Sequence, residues 1–190
     1  MNFTGIILAG GKSSRMGSDK GLLPVNGVPM IVHVINSLNK AGIKEIIIIS
    51  KNNEYQKFGF PVFPDIIEEK GPLGGIYTGL SKSKTSKNLI LSCDIPYIDE
   101  TIIDILIRKS GEEQVSIVKF QNQLHPLIGM YDSSLLKALG EHLILNMLKV
   151  EQFINGCDFK ILDIEKLLPQ IENKSFSNIN TPEELRKSEL

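Results

Sequence analysis

The sequence predicts an α/β fold with a mainly parallel sheet and right-handed crossovers. Short apolar runs alternate along the 190 residues with segments whose apolar residues recur at helical spacing, an order typical of parallel sheets. The run at 46–49 consists of isoleucine alone, as expected for a strand buried on both faces. In such sheets ligands bind beyond the carboxyl ends of the strands.

Local patterns then predict each element in order. Residues 30–39 carry apolar side chains at helical spacing and end before Gly42, Asp99 can cap a helix, and Thr181-Pro182-Glu183-Glu184 forms a capping box. The segments 115–120 and 127–131 are close enough to pair as a hairpin around 121–125. The predicted strands are 6–8, 46–49, 60–63, 89–91, 115–120, 127–131 and 159–162, and the other predicted helices are 74–83, 133–145 and 148–155.

Composition limits the classes of protein to consider. The chain is 42% hydrophobic with a net charge of -1, which indicates one domain over 1–190 and no basic footprint for nucleic acid. Cys93 and Cys157 lie far apart and outside any CxxC motif, as expected for reduced thiols. We find no signal peptide and no apolar run near the roughly 20 residues that span a bilayer, so we expect a cytoplasmic protein without a membrane partner.

Residues 6–24 carry the strongest functional signal. The strand at 6–8 leads into Ala9-Gly10-Gly11 and then to Lys12, Arg15 and Lys20. Small residues let backbone N–H groups approach a ligand, and the cations suit a polyanion such as a nucleoside triphosphate. The segment fits neither GxxxxGK(S/T) nor GxGxxG. The triplet Gly11-Lys12-Ser13 has Ile6 where the first motif requires a glycine, and Gly10 and Gly11 are adjacent. The alternative is a glycine turn with solvated cations.

Asp94 is the candidate metal ligand. It follows the strand at 89–91, and Pro96 prevents that strand from continuing. A carboxylate at the carboxyl end of a buried strand points into the ligand crevice, and Mg²⁺ prefers one or two carboxylates together with phosphate oxygens. The alternative is an aspartate that only caps local amides.

Two further features of the sequence suit the binding of a nucleotide base or ribose. Gly71, Gly74, Gly75 and Gly79 fall within nine residues, so this stretch predicts a backbone that lies flat against the ligand, or else a flexible connector. Asp65 follows Pro64 and can accept hydrogen bonds from the N–H donors of guanine, or can simply belong to a turn.

Three residues are candidates for binding a second substrate. His125 suits an acceptor phosphate or pterin, although a partly buried loop histidine is an equal interpretation. Asn178 and Asn180 are two residues apart on an extended segment and therefore face the same way, either towards the site or towards backbone groups that they cap.

Five motifs together resemble the molybdenum cofactor guanylyltransferase family. They are LAGGKSSRMGSDKGLL, GPLGGIYTGL, CDIPY, HPLIGMY and NINTPEEL, and the resemblance covers residues 5–186. It implies a three-layer α/β/α sandwich with a Rossmann-like nucleotide-binding sheet. It also implies transfer of GMP from GTP to the terminal phosphate of molybdopterin or its molybdenum-loaded form, with release of pyrophosphate and with Mg²⁺ as the cofactor.

The resemblance assigns roles to individual residues. Arg15, Lys20 and Asp94 are expected to be catalytic, with Lys20 on the triphosphate and Asp94 binding Mg²⁺. His125, Asn178 and Asn180 are expected on the acceptor side. The expected nucleotide-binding residues are Leu8, Ala9, Gly10, Gly11, Lys20, Ser50, Asn52, Asp65, Gly71, Gly74 and Asp94.

The chain departs from the family pattern at two places. Ser50 stands where some relatives carry an asparagine, with Asn52 two residues later, and Lys149 is the one firm cation in a stretch (141–149) where the family tends to carry arginines. One alternative is therefore a relative that uses another base or acceptor, such as a molybdopterin cytidylyltransferase. Another is a non-catalytic nucleotide-binding protein that delivers cofactor. Expected partners are GTP and molybdopterin, then molybdoenzymes or delivery proteins, with the chain a monomer or weak homo-oligomer.

Overall fold

The computed structural model describes residues 2–10, 19–179 and 183–184. The strands are β1 (Thr4–Leu8), β2 (Pro24–Val25), β3 (Val28–Pro29), β4 (Glu45–Ile49), β5 (Val62–Phe63), β6 (Lys87–Ser92), β7 (Val115–Phe120), β8 (Gln123–Asp132) and β9 (Phe159–Asp163). The helices are α1 (Met30–Lys40), α2 (Gly71–Lys82), α3 (Glu100–Lys109), α4 (Leu136–Ile144), α5 (Val150–Ile154) and α6 (Ile164–Leu167). Short 3-10 turns lie at Lys20–Leu22, Asn53–Phe58, Ser133–Leu135 and Asn173–Phe176.

Seven of these strands form one mixed, mostly parallel sheet in the order β5-β4-β1-β6-β8-β7-β9. Only β8 runs antiparallel to its neighbours within this described sheet. Leu8, at the end of β1, is level with Ile49 of β4 on one side and with Ser92 of β6 on the other. The chain leaves β1 towards β4 and later returns to β6 on the opposite side, so the strand order reverses at the carboxyl end of β1, where ligands bind in such sheets.

Helices cover both faces of the sheet and give three layers. On one face Ile7 packs in a buried core with α1, α3 and α6. On the other face Ile6 and Leu8 pack with α2, α4 and α5. The predicted α/β/α sandwich is therefore confirmed, because alternate side chains of the central strand enter two separate cores. Among the described residues, no helix combines the length and apolarity needed to cross a membrane.

The glycine-rich stretch at 71–79 is helical, which confirms the helix predicted over 74–83 and corrects the expectation of a flat loop at its start. α2 begins at Gly71, with Pro72 in its first turn, where a proline is tolerated. A Cβ atom on Gly79 would lie 2.5 Å from Cγ2 of Ile6, and one on Gly74 would lie 2.8 Å from Cβ of Lys70. These glycines therefore let the helix approach β1 and its own preceding turn closely.

The hairpin between β7 and β8 is tighter than the sequence suggested. Gln121 and Asn122 both have positive φ, at 46° and 62°, as in a two-residue type I′ turn. β8 consequently begins at Gln123, and His125 lies within a strand and not in a loop. The pairing register shifts between Ile117 and Val118. The N-terminal half of the predicted capping box, Thr181 and Pro182, lies outside the described residues.

Candidate active site

Backbone hydrogen bonds join the carboxyl ends of three parallel strands. The Ala9 N–H donates to the Ile49 carbonyl over 2.9 Å, and the Cys93 N–H donates to the Leu8 carbonyl over 3.1 Å. Leu8 and Ala9 are buried, whereas Gly10 is exposed. The chain that leaves β1 therefore first becomes accessible to a ligand at Gly10.

Lys20 and Asp94 meet at this edge of the sheet. Lys20 Nζ lies 3.6 Å from Asp94 Oδ2, and the two side chains are 25% and 14% exposed. Ser92, at the end of β6, donates a hydrogen bond of 2.6 Å from Oγ to Asp94 Oδ1. The structure thus brings together Lys20, which is predicted to bind the triphosphate, and Asp94, which is predicted to bind the metal ion. Gly11, Lys12 and Arg15 lie outside the described residues.

Asp94 suits a cation that is bound mainly by its substrate. Within the ranges that the structure describes, no cluster of three or more His, Cys, Asp or Glu side chains is arranged to hold a metal ion. Asp94 instead offers one partly exposed carboxylate beside the expected phosphate position. This donor set fits Mg²⁺, which keeps several waters and binds through one or two carboxylates and phosphate oxygens.

Asp19, directly before Lys20, is a residue of the candidate site that the sequence did not single out. Its carboxylate accepts hydrogen bonds from the Tyr55 hydroxyl and, over 3.3 Å, from the Asn52 amide. Asn52 also caps the turn Asn53–Phe58, because its Oδ1 accepts the Glu54 N–H over 3.0 Å. The buried Ser50 accepts the Asn52 N–H through Oγ over 3.1 Å. The position of Asp19 directly before Lys20 was the one sequence signal for it.

Asp65 places a second carboxylate beside the end of β1. Its Oδ1 is buried without a hydrogen-bond partner in the described structure, and its Oδ2 lies 3.8 Å from where a Cβ of Gly10 would be. Burial raises the pKa of Asp65, although the nearby Lys51 opposes that shift. Gly71 is exposed at the start of α2, whereas Gly74 is buried in the helix. The buried Oδ1 of Asp65, which has no partner in the described structure, indicates a place where a hydrogen-bond donor of a ligand fits.

The segment after the last 3-10 turn runs beside Asp94. The Ile179 N–H donates to the Asp94 carbonyl over 2.9 Å, which leaves the neighbouring Asn178 exposed next to the site. Asn180 lies outside the described residues. His125 packs with its ring centroid 5.0 Å from that of Phe176, and burial lowers its pKa.

Residues 5–154 match the family model for the MobA-like NTP transferase domain. A probable molybdenum cofactor guanylyltransferase from Flavobacterium johnsoniae is 39% identical, over 96% of this chain and 94% of the relative. The chain belongs to the molybdenum cofactor guanylyltransferase family. Another family member, the molybdenum cofactor guanylyltransferase of Yersinia pestis, is 32% identical over 95% of this chain and 92% of its own length. Membership of this family makes the chain a nucleotidyltransferase.

Solved structures of low sequence identity share the fold of this guanylyltransferase-family chain. Molybdopterin-guanine dinucleotide biosynthesis protein A from Archaeoglobus fulgidus superimposes with a TM-score of 0.81 at 21% identity, over 98% of this chain and 96% of its own. CMP:2-keto-3-deoxy-manno-octonic acid synthetase, solved with CTP, gives a TM-score of 0.78 at 16% identity, over 100% and 97% of the two chains. These likenesses confirm the nucleotidyltransferase fold.

Proposed function

We propose that this chain transfers GMP from GTP to the terminal phosphate of molybdopterin and releases pyrophosphate. One observation carries this proposal: in a chain of this family, Lys20 Nζ stands 3.6 Å from Asp94 Oδ2 at the edge of the sheet where ligands bind. A cation for the triphosphate and a carboxylate for Mg²⁺ are therefore already side by side.

The guanine base would be recognised by Asp65. Guanine presents N1–H and its N2 amino group on one edge, so two donors can meet one carboxylate. The buried Oδ1 of Asp65 has no hydrogen-bond partner in the described structure, and a guanine donor would remove the penalty of leaving it unsatisfied. The exposed Gly10 lies beside the same carboxylate, so the ribose can pass close to the backbone there.

Positioning and charge neutralisation would supply the catalysis. The acceptor phosphate is already largely ionised near neutrality, so it can attack the α-phosphorus in line without a protein nucleophile. Lys20, together with Arg15, would neutralise charge on the triphosphate as pyrophosphate leaves. Mg²⁺ held by Asp94 and phosphate oxygens would add further charge neutralisation. Ser92 would orient the Asp94 carboxylate through its 2.6 Å hydrogen bond.

The acceptor would approach from the side of Asn178. This residue is exposed, and the hydrogen bond from Ile179 N–H to the Asp94 carbonyl holds its segment against the site. We expect Asn178→Ala to raise KM for molybdopterin and to leave the dissociation constant of GTP unchanged. A loss of GTP affinity in this variant would contradict the division into a nucleotide side and an acceptor side.

The decisive experiment compares the four nucleoside triphosphates in the presence of Mg²⁺. We expect GTP to raise the melting temperature most, because a ligand that binds only the folded state stabilises it. GTP should also release pyrophosphate when molybdopterin is added, and Lys20→Ala should lose most of the thermal shift. Preference for CTP would contradict the guanine assignment, and stabilisation by GTP without pyrophosphate release would contradict catalysis.

A further inference from the structure

Two residues that follow β4, Asn52 and Tyr55, hold the carboxylate of Asp19 by hydrogen bonds. The Tyr55 hydroxyl donates to Asp19 Oδ1, and the Asn52 amide donates to Oδ2 over 3.3 Å. Tyr55 is fully buried, and burial, chiefly, raises the pKa of its hydroxyl far above the ordinary value. The phenol therefore stays protonated as a donor, and both carboxylate oxygens of Asp19 are engaged within the protein.

The same contact constrains the residues that follow Asp19. A Cβ atom on Gly21 would lie 2.5 Å from the Tyr55 hydroxyl oxygen, so the turn rests directly on the tyrosine. The Leu22 N–H donates to the Asp19 carbonyl over 3.1 Å, and the Leu23 N–H donates to the Lys20 carbonyl over 3.0 Å. Lys20 therefore lies in a short turn that is bonded at both ends and packed against a buried ring.

We propose that Tyr55 and Asn52 are positioning residues, which hold Asp19 so that the adjoining Lys20 is already placed at Asp94 when the triphosphate binds. The proposal rests on the triphosphate role of Lys20 given above. A lysine side chain loses considerable rotamer entropy when it is fixed, and a site that is ordered in advance avoids much of this cost during binding. Neither residue needs to touch the nucleotide for this effect.

The test removes one oxygen atom from the tyrosine. Tyr55→Phe keeps the buried ring and deletes the hydrogen bond to Asp19, so we expect the dissociation constant of GTP with Mg²⁺, measured by calorimetry, to rise roughly tenfold. Tyr131→Phe is the matched control, because Tyr131 is also fully buried and donates one hydrogen bond, to the Pro126 carbonyl over 2.6 Å. It should lower the melting temperature by a similar amount and leave GTP affinity unchanged.

A double-mutant cycle separates positioning from a general effect on the fold. If Tyr55 acts through Lys20, Tyr55→Phe should have little further effect on GTP affinity in a Lys20→Ala background. An equal loss in both backgrounds would overturn the proposal, as would unchanged GTP affinity in Tyr55→Phe alone. Unchanged affinity in Lys20→Ala would instead refute the proposed triphosphate role.

Asp19→Asn provides a second variant should Tyr55→Phe fold poorly, because it weakens the hydrogen bond between Tyr55 and Asp19 by changing the acceptor. Unchanged GTP affinity in Asp19→Asn would equally overturn the proposal.

Discussion

Lys20 Nζ lies 3.6 Å from Asp94 Oδ2, and Ser92 holds the other oxygen of the same carboxylate. Both charged side chains keep contact with solvent, at 25% and 14% exposure. The 3.6 Å separation is long for a charge-assisted hydrogen bond, so we expect the pair to add little to stability. Loss of the Lys20–Asp94 pair should therefore lower the activity and leave the free energy of unfolding almost unchanged.

We expect Asp94→Ala to lower kcat for GMP transfer by a factor of about 100 or more, since it removes the carboxylate that would hold Mg²⁺ and, with it, the charge that Mg²⁺ would neutralise at the reacting phosphates. Its melting temperature should stay within a few degrees of the parent. Asp99→Ala is the matched control: Asp99 Oδ1 accepts the Thr101 N–H over 2.8 Å at the start of α3. That variant should lose about 1 kcal/mol of stability and keep its kcat. Near-normal turnover of Asp94→Ala at saturating Mg²⁺ would exclude the metal-binding role.

The sheet was predictable because its strands have a local signature. The isoleucine run at 46–49 became β4, and the short apolar run at 6–8 became β1. The position of Asp94 at this edge of the sheet was predictable for the same reason, since it follows a buried strand, whereas its role towards Mg²⁺ stays a prediction. In the seven-strand sheet the strand boundaries moved by a few residues, as at β8, where a two-residue turn lengthened the strand, whereas the two-residue strands β2 and β3 were not predicted.

The start of α2 was not predictable in this way. Glycine is a poor helix former, so the sequence predicts a helix that begins only at residue 74, with Gly71 in the loop before it. In the structure α2 begins at Gly71 with Pro72 in its first turn, and Gly79, further along the helix, packs closely against Ile6 of β1. The link between Asp19 and Tyr55 also has no local pattern, because it depends on β1 and β4 being neighbours.

Two helical glycines provide a test of this packing argument. Gly79→Ala should destabilise the protein by about 1–3 kcal/mol, because the new Cβ would meet Ile6 Cγ2 at 2.5 Å. Gly140→Ala, in α4, should leave stability unchanged or raise it by up to about 1 kcal/mol, because its Cβ would have only an ordinary 3.7 Å contact with Tyr77. Urea unfolding measures both. Equal effects of the two substitutions would contradict the close approach of α2 to β1.

His125 should make the fold sensitive to acid. Burial lowers its pKa from the ordinary value of 6.5, so the unfolded chain takes up a proton more readily as pH falls below that value. The stability present above pH 6.5 is then lost towards the lowered pKa. We expect His125→Gln to lose less unfolding free energy than the parent between pH 7.5 and pH 5.5, as measured by urea titration. Parallel losses in the two proteins would show that His125 is not the group responsible.

Asp65→Asn should stabilise the protein without ligand and weaken its binding of GTP. Burial raises the pKa of Asp65 above 3.8, so its carboxyl favours folding below that pH and loses this contribution as pH rises through the raised pKa. The variant avoids burying the charge of a carboxylate whose Oδ1 has no hydrogen-bond partner in the described structure, and we expect this to be worth about 1 kcal/mol near neutrality. Its advantage in urea unfolding should therefore be larger at pH 7 than at pH 4.5.

The same variant, Asp65→Asn, should bind GTP roughly tenfold more weakly in calorimetry, because a neutral amide that is both donor and acceptor matches the guanine donors less well than a carboxylate. A variant that is less stable without ligand and binds GTP normally would show that Asp65 supports the fold and does not read the base.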